Sequence, residues 1–331
     1  MDNPNFYQTV WYLLIGVLFV GYSILDGFDL GVGMLFPFLA NDDGEKSALI
    51  RSIGPVWDGN EVWLLTAGGA LFAAFPLAYA TVFSGFYLAL MLVLFALIFR
   101  AVSLEFWTYD EPRRKAWGWA FAIGSFLPSL LYGVALGNVV YGVPISADFE
   151  YAGGFFTLLR PYPLLIGLLG LAAIVLQGST YTALKTDGRL RDSARKVSSA
   201  LLYVLGALFV AATATHLTVA PSSASLPLFW IFAALFFIAW GVNRLALAKG
   251  RDMLSFIMSS AGFAAMWGIA GSVHFPRLVT SLDPAHAITA MNAASGPMTL
   301  RVMLIIAGLG MPVVILYTIF VYRIFKGKVT A

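Results

Sequence analysis

Residues 9–38 read TVWYLLIGVLFVGYSILDGFDLGVGMLFPF. The run is long enough to cross a bilayer, which takes about 20 mostly apolar residues. Two carboxylic acids, Asp26 and Asp29, stand well inside it. The rest of the chain has the same apolar character. Of its 331 residues 60% are hydrophobic and only 11% are charged, against about 25% charged in a soluble globular chain. Mean hydropathy is +0.84. A soluble fold cannot bury that much apolar surface and still coat itself with polar groups. A soluble enzyme, a disordered chain and a nucleic-acid binder are therefore excluded. The 32 glycines suit close helix crossings in lipid, and the 9 Trp and 14 Tyr suit its interfaces. With no cysteine, disulfides, Fe–S ligation, thiolate haem ligation and Cys zinc sites are impossible.

Nine segments are long and apolar enough to be spans: 9–38, 58–75, 77–106, 116–140, 162–185, 196–219, 226–247, 253–274 and 298–325. The second and third are parted only by a turn at Pro76. The N-terminus lacks the basic stretch of a cleaved signal peptide, so the first span is expected to be retained. Basic residues concentrate in and around loops 39–57, 107–115, 186–195 and 248–252 and in the C-terminal tail. Arg160, Arg277 and Arg301 face the other way, and Arg100 lies inside a span. This asymmetry puts the N-terminus outside and the C-terminus in the cytoplasm, which requires an odd number of spans. The expectation is an all-α polytopic membrane protein of about nine transmembrane helices. It forms a single integral membrane domain over 1–331, in a bacterial or archaeal cytoplasmic membrane. No phosphate-binding loop and no internal repeat is present.

The informative residues are charges placed in oil. Asp26 and Asp29 sit three apart and so share a helix face. Asp58 and Glu61, in GPVWDGNEVWLL, repeat that spacing at the start of the second span. Arg100, in LIFRAVSLEFW, lies near the end of the third and is followed by Glu105. The orientation gathers all of them in the cytoplasmic half of three consecutive helices. A charge at mid-bilayer costs about 2.5–3.5 kcal/mol on insertion scales, so such residues are functional hypotheses by default. Four carboxyls beside one arginine cannot all ionise cheaply, which suits proton exchange. The structural reading is that Arg100 pairs with one acid and the others serve helix ends, with Asp58 and Glu61 forming a capping box. Gly27 and Gly31 would let another helix approach the acids. Asn60 joins the cluster. Trp57 and Trp63 beside it read as interface anchors.

Haem is often held between histidines on facing membrane helices. Three exist here, His216, His274 and His286. The first two end their spans on the outer side, where His is a common interface residue, and His286 lies in a loop. Gln177 and Asn138 are polar residues within spans that read as interhelical hydrogen-bonders rather than ligand binders, and Asn243, before Arg244 at a cytoplasmic helix end, reads as an interface residue. The ten Met residues read as packing.

The runs LDGFDLGVGMLFPF (25–38), GPVWDGNEVWLLTAGGALFAAFPLAYATVFSGFY (54–87) and LIFRAVSLEF (97–106) resemble subunit II of the cytochrome bd quinol oxidases. The likeness is dense over 20–107 and continues in GSFLPSLLYGVALGN (124–138) and QGSTY (177–181). It implies one half of a heterodimer that oxidises quinol and reduces dioxygen to water. Haem b and haem d would be held by the partner, subunit I, and none by this chain. A small accessory membrane subunit is compatible with the resemblance. Consumed protons would come from the cytoplasm. Asp58 matches the family position on a proton inlet, Asp26 and Asp29 match its acidic pair, and Arg100 matches an arginine given a charge-balancing role. Glu61 matches a position that is neutral in some relatives. Two other readings fit intramembrane acids: a proton-coupled secondary transporter, and a purely structural membrane partner.

Overall fold

Asn5 starts the first helix. Its side chain accepts from the Gln8 amide at 3.0 Å while Gln8 Oε1 accepts from the Asn5 amide at 2.9 Å, so two of the end's free donors are satisfied. The helix then runs for 34 residues, about 51 Å at 1.5 Å per residue, through Pro37 and out beyond the hydrocarbon core. The computed structural model describes residues 4–329. Its helices are α1 (Phe6–Leu39), α2 (Asp43–Ile53), α3 (Trp57–Ala74), α4 (Pro76–Gly85), α5 (Tyr87–Tyr109), α6 (Arg114–Tyr141), α7 (Pro161–Lys185), α8 (Gly188–Val219), α9 (Pro227–Ala248), α10 (Asp252–His274) and α11 (Pro297–Ile324). A small antiparallel hairpin, β1 (Arg277–Val279) and β2 (Ile288–Thr289), lies in the long loop before α11.

The expected all-helical membrane architecture is present. Eight of the helices are long and apolar enough to cross a membrane, namely α1 and α5 to α11. The segment expected at 58–75 is α3, whose 18 residues open on the polar run WDGNE; it packs along α1. The expected span 77–106 is two helices. Phe75, at φ −135° and ψ 65°, ends α3, since Pro76 supplies no N–H and restricts the residue before it. The second break, at Phe86, is imposed from outside the segment. Thr81 Oγ1 donates to the Phe149 carbonyl at 2.7 Å, and a Cβ at Gly85 would lie 2.8 Å from the Tyr151 ring. The loop between α6 and α7 therefore grips α4 and turns the chain. The expected cytoplasmic loop 39–57 contains α2, and α8 starts at 188 rather than 196 because its first turns, GRLRDSARK, are polar helix.

At the centre α1 touches α3, α6, α7 and α10. Its closest crossing is with α7. A Cβ on Gly31 would sit 2.3 Å from the Ile174 carbonyl oxygen, and one on Gly178 would sit 2.3 Å from the Gly31 carbonyl carbon. The α6–α7 pair is similarly tight at Gly133, Gly137 and Gly167. Lipid supplies no hydrophobic force between helices, so this backbone-to-backbone packing is what holds them. Polar side chains add to it: Gln177 Nε2 donates to Ser260 Oγ at 2.8 Å and Asn138 Nδ2 to the Leu158 carbonyl at 2.8 Å, while Asn243 Oδ1 accepts from Ser255 Oγ at 2.7 Å. The Gln177 bond is the interhelical one expected, whereas Asn138 holds the loop that follows its own helix, and Asn243, expected at the interface, is buried and joins α9 to α10.

On the side of the short basic loops, Asp42 caps α2 by accepting from the Glu45 amide at 2.8 Å. Glu45 in turn binds Arg189 of α8 through both guanidinium nitrogens Nε and Nη2. The Arg189 hydrogen bonds hold the Glu45 carboxyl below the usual glutamate range. A group whose native pKa is lowered stabilises the fold fully above its unfolded value, about 4.3. That contribution is lost as pH falls through the native value. Thermal unfolding of the detergent-solubilised protein and of Glu45→Gln should therefore differ at neutral pH and converge below about pH 4. A gap that persists unchanged at low pH would show that the carboxylate charge is not what fastens α2 to α8.

Candidate functional site

Arg100 is the largest fully buried side chain in the molecule, only 1% exposed, and Asp26 is 0% exposed. They lie on α5 and α1, with α6 packed against both. Nη2 donates to Asp26 Oδ1 at 2.6 Å and Nη1 to Oδ2 at 3.1 Å, a two-pronged geometry that suits a planar guanidinium and a carboxylate. The guanidinium carbon stands 6.0 Å from the centre of the Trp57 ring, at the outer range of cation–π attraction. A Cβ on Gly124 of α6 would fall 2.9 Å from the Arg100 amide nitrogen. That bare face lets α6 close over the pair and keep lipid away.

One turn along α1, Asp29 is also 0% exposed. Its Oδ2 accepts from Asn60 Nδ2 of α3 at 2.7 Å, and its Oδ1 has no partner although it is buried. The Asn60 Oδ1 accepts from the hydroxyl of Tyr322, near the end of α11, at 2.9 Å. Glu61 follows on α3, half-buried, and Asp58 is exposed in the first turn of that helix. On the other flank of Asp26, one turn back along α1, Tyr22 meets Tyr132 of α6 with their hydroxyls 3.3 Å apart. Polar atoms thus run from the exposed Asp58, at the end of the bundle where the basic loops lie, inward to Asp29, Asp26 and Arg100.

The expected residues separate as follows. Asp26, Asp29, Asn60 and Arg100 are brought together, and Glu61 borders them. Glu105 is exposed and stands apart. The capping box at Asp58 and Glu61 is corrected: α3 starts after Val56 and no side chain caps it, because the preceding turn carries the chain into the helix one residue before Asp58 could act. Trp57 faces Arg100, and Trp63 lies over Gly21 of α1, where a Cβ would be 2.3 Å from the ring. Sequence reading missed Tyr322. A tyrosine near the end of a C-terminal span is a common interface residue, and nothing local sets it apart.

The two outer histidines are held differently. His216 Nδ1 is 3.0 Å from the Tyr162 hydroxyl and its Nε2 is 3.0 Å from Ser223 Oγ, so both ring nitrogens are engaged. His274 keeps one buried unpartnered nitrogen, Nε2, with Thr280 3.4 Å from the other. Among the described residues no group of three or more His, Asp or Glu is placed to hold a metal ion.

Fold and site together define a polytopic helical membrane protein built around a buried arginine–carboxylate pair, with further acids leading to one membrane surface. The chain belongs to the cytochrome bd terminal oxidase subunit II family, whose sequence model matches residues 7–325. The cytochrome bd-I ubiquinol oxidase subunit 2 of Escherichia coli K12 is 37% identical over 360 residues, covering 98% of this chain and 95% of that one. The cytochrome bd ubiquinol oxidase subunit 2 of Bacillus subtilis is 36% identical over 334 residues, covering 98% and 97%. The solved bd oxidase from Geobacillus thermodenitrificans superposes with a TM-score of 0.78 over 96% of this chain and 98% of that one. At 17% identity that match speaks for the fold. The chain is thus one subunit of an oxidoreductase complex, and the family pairs it with a subunit I.

Proposed function

We propose that this chain serves its quinol:dioxygen oxidoreductase complex as the scaffold for a haem-bearing subunit I and as the cytoplasmic proton inlet. The whole chain acts as one membrane unit in the cytoplasmic membrane; an N-terminus outside and a C-terminus inside, as the basic loops favour, needs α3 to cross as a ninth span beside the eight apolar ones. Subunit I would hold haem b and haem d and would oxidise the quinol. The large side chains left bare on α3, α5 and α11, such as Leu65 at 71% and Leu309 at 73% exposed, suit contact with subunit I and with lipid. A small accessory subunit would find room on the same faces.

The observation that carries the inlet is Asp29. It is a fully buried carboxyl with one oxygen unpartnered, linked through α3 to the exposed acid Asp58. A proton reaching Asp58 from water would pass by Glu61 toward Asp29. Asp26 stays paired as the counter-charge of Arg100, so that pair sets the local field while Asp29 remains free to exchange. Proton relays in membranes are built from such acids facing a bundle interior.

In the purified complex, Asp58→Asn is expected to slow oxygen consumption about tenfold or more, a modest fraction of what acid–base groups contribute, with haem content retained. An unchanged rate removes the inlet role from Asp58, and a collapse of haem content makes the residue structural. Family membership sets aside the proton-coupled transporter. A purely structural role for the acids is what the Asp58→Asn measurement excludes.

A further inference from the structure

We infer that Tyr322, at the end of α11, is a positioning residue for Asp29, acting through the Asn60 amide. The inference rests on the inlet reading and goes beyond it, because it gives the last helix a part in proton handling.

An asparagine amide can face either way. Its Nδ2 can only donate and its Oδ1 can only accept. Here Nδ2 points to Asp29 Oδ2 and Oδ1 takes the Tyr322 hydroxyl. The hydroxyl, together with the Leu25 carbonyl that takes Nδ2 at 3.4 Å, holds the amide with its N–H toward the carboxylate. An N–H aimed at a carboxylate favours its ionised form, whereas a carbonyl oxygen there favours the acid. The chain Tyr322–Asn60–Asp29 has two satisfied polarities. With Asp29 ionised, Tyr322 donates to Oδ1 and Nδ2 donates to Asp29. With Asp29 protonated, the acid donates to a turned Oδ1 and Nδ2 donates to the Tyr322 oxygen. A tyrosine serves both states because its hydroxyl donates and accepts; phenylalanine serves neither. No atom is lost in the exchange. The proton that arrives on Asp29 is the one that leaves toward the partner subunit.

The packing of α11 fits this part. Leu300 is its only buried residue, so the helix is held near its two ends. At one end Trp11 Nε1 donates to the Leu300 carbonyl at 2.9 Å. At the other, Tyr322 reaches Asn60, and the residues after it are fastened to the end of α7. The Val329 amide donates to the Lys185 carbonyl at 2.7 Å, Lys185 Nζ to the Gly327 carbonyl at 3.1 Å, and Lys328 Nζ to Asp187 Oδ1 at 2.5 Å. This strap fixes where the hydroxyl sits. The charged and titratable groups around Asp29 are Asp26 on its own helix, Glu61 from α3, Arg100 from α5, Tyr181 from α7 and Tyr322 itself. All but Tyr322 are unchanged by removing its hydroxyl.

The test uses the assembled oxidase carrying Tyr322→Phe, Asp29→Asn, or both, with Tyr203→Phe on the exposed face of α8 as control. Tyr322→Phe is expected to slow oxygen consumption about three- to tenfold, the worth of one hydrogen bond. It should also displace the alkaline limb of the rate–pH profile while haem content and assembly stay normal. In the Asp29→Asn background it should add nothing, and Tyr203→Phe should change nothing. An undisplaced profile, a full effect persisting without Asp29, or loss of assembly on Tyr322→Phe each overturns the inference. If Asp58→Asn and Asp29→Asn slow the enzyme but Tyr322→Phe does not, this inference alone fails. If none of them does, the inlet fails with it.

Discussion

Replacing Arg100 with Leu is expected to cost about 3–5 kcal/mol, because it leaves Asp26 charged and unpaired in the interior. A typical domain has only about 5–15 kcal/mol in all, so the visible result should be little or no assembled, haem-containing complex in the membrane fraction. Asp26 is 0% exposed and accepts from both Nη atoms, so neither water nor a neighbouring donor can take over. The double variant Asp26→Asn, Arg100→Leu removes both charges and should recover much of the loss, since a buried pair is often no more stabilising than its neutral replacement. Arg100→Lys keeps the charge but not the fork and should fall between. Equal damage from the single Leu variant and the double variant would mean that Arg100 is needed for its shape or for subunit contact rather than for charge balance.

Gly178→Val should be nearly as damaging, for a steric reason. A Cβ there would lie 2.3 Å from the Gly31 carbonyl carbon and 2.5 Å from the Val32 amide nitrogen. Both are backbone atoms, so no rotamer change relieves the clash and α1 must back away from α7. Overpacking of this kind costs about 1–3 kcal/mol and occasionally more. Here it also displaces the helix that carries Asp26 and Asp29. Gly16→Ala is the control, because nothing lies within 4 Å of its new Cβ; as a helix-interior glycine it should gain up to about 1 kcal/mol in propensity. Unfolding temperatures of the solubilised protein should move in opposite directions for the two variants. A neutral Gly178→Val would show that the α1–α7 crossing is looser than a backbone contact.

The membrane class, the helical segments, the one-sided basic loops and the acid pairs at three-residue spacing were all legible in the chain. Each is a local property: hydropathy over about 20 residues, or the helical period over four. Asp26, Asp29, Asn60 and Arg100 could be named for the same reason, since a charge or amide inside an apolar run is conspicuous wherever it ends up. The pairing itself was not legible. That Arg100 takes Asp26 and leaves Asp29 to Asn60 depends on the rotation of α5 about its axis, which the α5–α6 contact at Gly124 sets. Tyr322 lies 262 residues from Asn60, and no periodicity joins them. The break at Phe86 escaped for a like reason. SGFY is an ordinary apolar stretch, and what bends it is the grip of Thr81 and Gly85 by the distant residues Phe149 and Tyr151. Transfer to lipid acts on each residue separately and can be read in order along the chain. Partner choice among buried polar groups is a steric matter between helices, decided only when the backbones close on one another.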